Sequence, residues 1–115
     1  MVSNAGIMVR KPLRRLTLPE WHRVLDTNLT AAFLLARAAE KALRKARGAI
    51  VTVASTRTDV GAQHRILFSQ QRRALRALTH ALAISLATDV RVNCVSPGWC
   101  ATNLVFQQLN LPSPH

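Results

Sequence analysis

Three polar side chains stand where this chain could hold or polarise a small oxygen-bearing molecule. Ser55 closes a short apolar run, Ala49 to Ala54 (AIVTVA), which puts its hydroxyl at the exit of a buried strand. Asn28 interrupts an apolar helical stripe, four residues after Val24 and four before Ala32. Thr102 follows Pro97-Gly98, which ends a second apolar run, Val90 to Val95 (VRVNCV). A hydroxyl can hydrogen-bond a substrate oxygen, and an amide offers two donors and an acceptor. In sheets of parallel strands, ligands bind beyond the carboxyl ends of the strands, where Ser55, Pro97 and Gly98 fall. Each residue also has a purely structural reading. A buried Asn can be satisfied by its helix neighbours, Ser55-Thr56 can open a turn, and Thr102 can cap a helix. His22 and His80 lie mid-helix, share no metal-like spacing with another ligand, and read as ordinary helix residues.

These positions need helices and strands to carry them. A long helix is expected from Pro19-Glu20, a good first-turn pair. Its apolar positions Trp21, Val24, Leu25, Ala32, Leu35, Ala36, Ala39 and Leu43 follow the helical period. Lys41, Arg44, Lys45 and Arg47 gather near its end, where cations suit the dipole, and Gly48 is expected to stop it. A second helix is expected over Ala74 to Leu86, with Leu75, Leu78, Leu82 and Leu86 on one side. The order loop, helix, strand, helix, strand, loop predicts an α/β fold with a parallel sheet. Two strands make a poor sheet, so the chain reads as part of a domain.

Composition narrows the function classes. With 115 residues there is room for one small domain. An apolar fraction of 49% excludes a disordered basic tail. No apolar run approaches the roughly 18 residues of a membrane span, and the N-terminus lacks a signal-peptide pattern. Cys94 and Cys100, spaced C-x5-C, fit neither a zinc site nor a disulfide framework, so a reduced, cytoplasmic setting is expected. The net charge of +11 invites a nucleic-acid reading. Five aromatics, none of them Tyr, and no binding motif or zinc spacing argue against specific recognition. Salt-sensitive sticking is expected of any such charge.

Five segments, in this order, resemble the short-chain dehydrogenase/reductase family. Asn4-Ala5-Gly6 resembles the end of its N-N-A-G motif, with Ser3 in place of the first Asn. Trp21-x-x-Val24-Leu25-x-x-Asn28-Leu29 resembles the helix with the active-site Asn, and Gly48-Ala-Ile-Val-Thr-Val-Ala-Ser55 the strand ending in the active-site Ser. Leu78-Thr-His-Ala-Leu-Ala resembles the next helix. Val90-Arg-Val-Asn-Cys-Val-Ser-Pro-Gly-Trp99 with Thr102 resembles the strand and nicotinamide-side loop after it. The resemblance implies a Rossmann-type domain that moves a hydride between NAD or NADP and an alcohol or carbonyl. It implies cofactor contacts at Asn4, Ala5, Gly6, Pro97, Gly98 and Thr102, and catalytic positions at Asn28 and Ser55. It also implies a Tyr acid/base, with a Lys four residues later that lowers its pKa and holds the nicotinamide ribose. The helices at 19–47 and 68–86 correspond to those that often pair subunits in the family, so a homo- or hetero-oligomer is expected.

Two departures accompany the resemblance. The family's Gly-rich pyrophosphate turn lies upstream of N-A-G, where this sequence has almost no chain, so N-terminal βαβ units are expected to be missing. Residues 1–102 are expected to form the truncated domain and 103–115 a tail. The family's spacing also places Phe68 at the Tyr position and Arg72 at the Lys position. Phe has no proton to give, and a guanidinium is not an ammonium. The stretch around Gln63 to Arg73 is unlike its flanks. Read one base out of frame, codons for Leu67 to Ala74 can spell Tyr-Ser-Ala-Ser-Lys-Gly-Gly, so a pair of compensating frameshifts across residues 57–76 is hypothesised. The gene's nucleotide sequence tests it: if no alternative frame encodes Tyr-x-x-x-Lys, the idea fails. Arg57, Arg65, Arg72, Arg73 and Arg76, against Asp59, make this segment the source of four of the eleven excess charges.

Overall fold

A computed structural model describes residues 1–56, 66–98 and 100, with residues 66–70 described by backbone alone. Three parallel strands form the sheet: β1 (Val2–Ser3), β2 (Ala49–Val53) and β3 (Arg91–Val95), in the order β1-β2-β3. Between β1 and β2 lie α1 (Leu18–Leu25), one wide turn at Asp26–Thr30, and α2 (Ala31–Lys45). Between β2 and β3 lies α3 (Ile66–Ser85). Val2 pairs with Val51, and Ala49 to Val53 pair residue by residue with Arg91 to Val95. The α/β class holds. The residues before Asn4-Ala5-Gly6 do form a third strand, of two residues.

Several boundaries differ from the sequence expectation. α3 begins eight residues before Ala74, because the polar run Ser69-Gln70-Gln71-Arg72-Arg73 hides the apolar period but consists of sound helix formers. The long helix is divided by the wide turn, where the Ala31 N–H reaches back five residues to the Asp26 carbonyl. Val24, Asn28, Ala32 and Ala36 are all buried at four-residue spacing. In a regular helix that spacing drifts about 40° per step. The extra residue in the wide turn absorbs drift and keeps Asn28 pointing inward. At the far end, Gly48 N–H bonds the Leu43 carbonyl at 2.9 Å, yet it is Arg47 that takes the left-handed conformation, at φ 45°.

The core lies between the helices and one face of the sheet. Ala36, Ile50, Leu86 and Val90 form its centre, with Met1, Leu43, Leu82 and Val92 packed around them. Ile50 and Thr52 of β2 are fully covered, while Ala49, Val51 and Val53, on the other face, are half-buried. Val2 and Val95 are 66% and 52% exposed. Parallel sheets are normally covered on both faces, and here the described residues cover one. The Thr79 hydroxyl donates to the Leu75 carbonyl at 2.7 Å, so at the 2.7 Å contact between Thr52 and Thr79 the Thr52 hydroxyl is the donor. Among the described residues no helix is long and apolar enough to cross a membrane.

α1 opens on a reciprocal cap. The Thr17 hydroxyl accepts from the Glu20 N–H, and the Glu20 carboxylate accepts from the Thr17 N–H at 3.1 Å. Lys11 also bonds Glu20. Led by Lys11 and then by Thr17, these bonds hold the Glu20 pKa at about 2, down from 4.5. A pKa lower in the folded state means that this stabilisation is complete above about pH 4.5 and is lost as pH falls through about 2. An NMR titration of the Glu20 carboxyl carbon is expected to show the low midpoint. T17A is expected to cost about 1 kcal/mol in denaturant unfolding and to move that midpoint up.

Candidate functional site

The carboxyl ends of the strands gather most of the residues singled out in the sequence. β1 runs into Asn4 and Ala5, both exposed, and then into half-buried Gly6. The amide of Asn28, 2% exposed, reaches across to the next residue. Its Oδ1 accepts from the Ile7 N–H at 2.8 Å, and its Nδ2 donates to the Ile7 carbonyl at 2.9 Å. Nδ2 also donates to Gln71 Oε1 on α3 at 2.7 Å. One amide therefore joins the turn after β1, the wide helical turn and α3. Gln71 is 1% exposed, and its Nε2 has no partner among the described residues.

Arg72 lies beside this network and points inward. It is 5% exposed and donates from Nη1 to the Val53 carbonyl at the end of β2. Its Nη2 lies against Gly6: a Cβ there would sit 2.5 Å from that nitrogen and 3.7 Å from Asn28 Oδ1. A side chain at Gly6 would therefore have to push the Arg72 guanidinium aside. Burial pulls the guanidinium pKa below its ordinary value, and the nearby Cys94 thiol partly offsets this. Phe68 precedes Arg72 by four residues along α3.

The ends of β2 and β3 meet on the other side. Ser55 is buried at 8% exposure. The next residue, Thr56, donates from its N–H and its hydroxyl to the Pro97 carbonyl, at 3.1 and 3.3 Å. Exposed Gly98 follows, close to the Thr56 hydroxyl. Asn4, Ala5, Gly6, Asn28, Ser55, Arg72, Pro97 and Gly98 thus all lie at the carboxyl end of the sheet. Thr102 and Arg57 to Arg65 lie outside the described residues. Sequence reasoning missed Gln71 and Ile7. Asn28 on an apolar stripe signalled that a partner was needed, but the partner lies 43 residues away on α3.

Together these residues form a hydrogen-bonding frame: a shared amide, a buried hydroxyl and a buried cation. Among the described residues no cluster of His, Cys, Asp or Glu could hold a metal ion.

Comparison with known proteins identifies the chain's relatives. A family profile described as enoyl-(acyl carrier protein) reductase matches residues 1–112. The cyclopentanol dehydrogenase of Comamonas testosteroni is 39% identical over 114 residues, covering 97% of this chain and 46% of that protein. The 3-alpha-(or 20-beta)-hydroxysteroid dehydrogenase of Mycobacterium bovis is 36% identical over 104 residues, covering 89% and 40%. Among solved structures, the apo SCOR enzyme from Clostridium thermocellum superposes with a TM-score of 0.81 at 37% identity, covering 85% of this chain and 40% of that one. The gluconate 5-dehydrogenase from Burkholderia cenocepacia, in complex with NADP and tartrate, shares the fold with a TM-score of 0.87 at 24% identity, covering 95% and 44%. The chain spans less than half the length of these relatives, consistent with a partial Rossmann-type domain. With a parallel sheet in this order and a family match over residues 1–112, the chain belongs to the short-chain dehydrogenase/reductase family.

Proposed function

We propose that this chain carries the Asn- and Ser-bearing part of an NAD(P)-linked oxidoreductase acting on an alcohol or carbonyl, and that hydride transfer on its own residues is impaired. The observation that carries the reading is Arg72. It stands where the resemblance calls for a ribose-holding Lys, yet its guanidinium is buried against Gly6 and bonded to the end of β2. A cation committed to its own backbone is not presented to a nucleotide. Phe68 supplies no proton. The residues present therefore do not fit the nicotinamide end of NAD or NADP. Asn4, Ala5, Pro97, Gly98 and Thr102 keep the positions that line such a cofactor in the family. Residues 1–102 are taken as the Rossmann-type part and 103–115 as a tail. The free thiols Cys94 and Cys100 suit a reducing, cytoplasmic setting.

Purified chain incubated with NADH or NADPH and cyclopentanone is expected to consume no reduced nicotinamide above a protein-free blank. Turnover supported by the chain itself would overturn the impaired reading.

A second reading, a non-catalytic module that binds family-type subunits, is favoured by one observation. Phe33, Leu34 and Leu35 of α2 are 43%, 43% and 46% exposed, and Ile84 of α3 is 67% exposed. Such apolar surface on helices is costly without a partner. Co-expression with a full-length relative is expected to give a mixed species in size-exclusion chromatography. Separate elution of the two chains would leave these side chains as uncovered surface alone.

A further inference from the structure

The opposite end of the sheet holds a feature that hydride transfer does not use. A cleft of about 370 Å³ opens at the amino-terminal ends of β2 and β3, lined by Arg47, Thr88, Asp89, Val90 and Arg91. Arg47 at φ 45° and Thr88 at φ 79° are the two non-glycine residues with positive φ among the described residues, and both line this cleft. The left-handed region is strained for residues with a Cβ, most of all for a β-branched one, and glycine is the usual choice past a helix end. Both positions instead carry a side chain that can hydrogen-bond an anion.

The charges in the cleft are unequally engaged. Asp89, its acid, accepts from Arg44 Nη1 at 2.7 Å, and Arg44 Nε is held by Glu40 at 3.0 Å. Arg47 and Arg91 form no ion pair among the described residues, and both are exposed. The Thr88 hydroxyl likewise has no hydrogen-bond partner among them. Helix dipoles account for cations in the last turn of α2, such as Arg44 and Lys45. They do not account for a strained Thr88, which carries no charge.

We propose that this cleft binds phosphate, free or as the terminal group of a phosphate monoester. Two guanidinium forks can each meet a pair of phosphate oxygens, sharing one between them, and the Thr88 hydroxyl can donate to one of the same oxygens. The open mouth leaves the organic part of an ester in solvent.

The test uses inorganic phosphate titrated into the chain by calorimetry, with ionic strength held constant by KCl. Saturable binding with a submillimolar Kd is expected, weakened tenfold or more by T88G and by R91Q. Without phosphate, T88G and R47G are expected to raise Tm, because each relieves a left-handed residue. R23Q removes an equal charge from α1 and is expected to leave the Kd unchanged. Binding that fails to saturate, T88G with undiminished affinity, or R23Q weakening binding as much as R91Q would each overturn the proposal. Because T88G keeps the net charge and favours folding, loss of binding in it separates a built site from general attraction to a +11 chain.

Discussion

Joined to the amino-terminal half of the cyclopentanol dehydrogenase of Comamonas testosteroni, this chain is expected to support cyclopentanol oxidation about 10²–10⁴-fold more slowly than the same chimera carrying F68Y and R72K together. The chimera supplies what a full-length relative has upstream, so the comparison isolates two side chains. A phenol has an ordinary pKa of about 10 and becomes a competent acid/base only with a cation close by. Phe68 has no hydroxyl. Arg72 keeps the charge but directs it at the Val53 carbonyl and the Gly6 turn. The two substitutions are therefore expected to be non-additive. R72K alone gains little because there is no proton to move, and F68Y alone gains only part because its cation faces the sheet. Steady-state kcat at saturating cofactor for the four chimeras decides it. A doubly substituted chimera within about tenfold of the unsubstituted one would show that Phe68 and Arg72 are not what limits this chain.

Much of the frame that holds these residues is legible in the sequence. Ala49 to Val53 is a β-branched run, and Arg91 to Val95 is a less regular one with Val92 and Val95. They are bounded by Gly48, Asp89 and Pro97, and punctuation of that kind marks strands well. Pro19-Glu20 announced the start of α1 through local chemistry, while the capping box between Thr17 and Glu20 emerged only in the structure. The start of α3 was hidden, because a helix whose first turns are polar has no apolar period to read, and its propensity speaks only weakly. The wide turn at Asp26–Thr30 was visible only as a four-residue spacing from Val24 to Ala36, whose meaning depends on which face is buried. At the site, Asn28 and Ser55 stood out because each breaks a local pattern. Their contacts did not. Asn28 meets Ile7 at a separation of 21 residues and Gln71 at 43, and Arg72 meets Val53 at 19. Such pairings are set by the crossing of helices over the sheet, which no local signal encodes.

The Asn28 pairing carries the largest expected effect on stability. N28D, nearly identical in shape, is expected to cost about 3–5 kcal/mol, and N28A a similar amount. The amide makes three hydrogen bonds, the one to Gln71 Oε1 buried and the two to Ile7 part-buried, and Nδ2 donates two of them, to the Ile7 carbonyl and to Gln71 Oε1. An aspartate can still accept from the Ile7 N–H, but it opposes two acceptors with an oxygen in place of a donor. Each buried polar group left without its partner costs about 1–3 kcal/mol, against a total stability of about 5–15 kcal/mol for a domain. If Asn28 served packing alone, N28D would be nearly neutral in urea unfolding while N28A would not, and that outcome would refute the network. Q71M removes one bond and also the orphaned Nε2, so it is expected to cost less than N28D. In the double variant N28A Q71M the two losses should fall short of their sum, because they share one bond. G6A probes the neighbouring contact in the same way. Its Cβ must displace Arg72 Nη2 from 2.5 Å, and the resulting loss is expected to shrink when Arg72 is itself replaced by alanine.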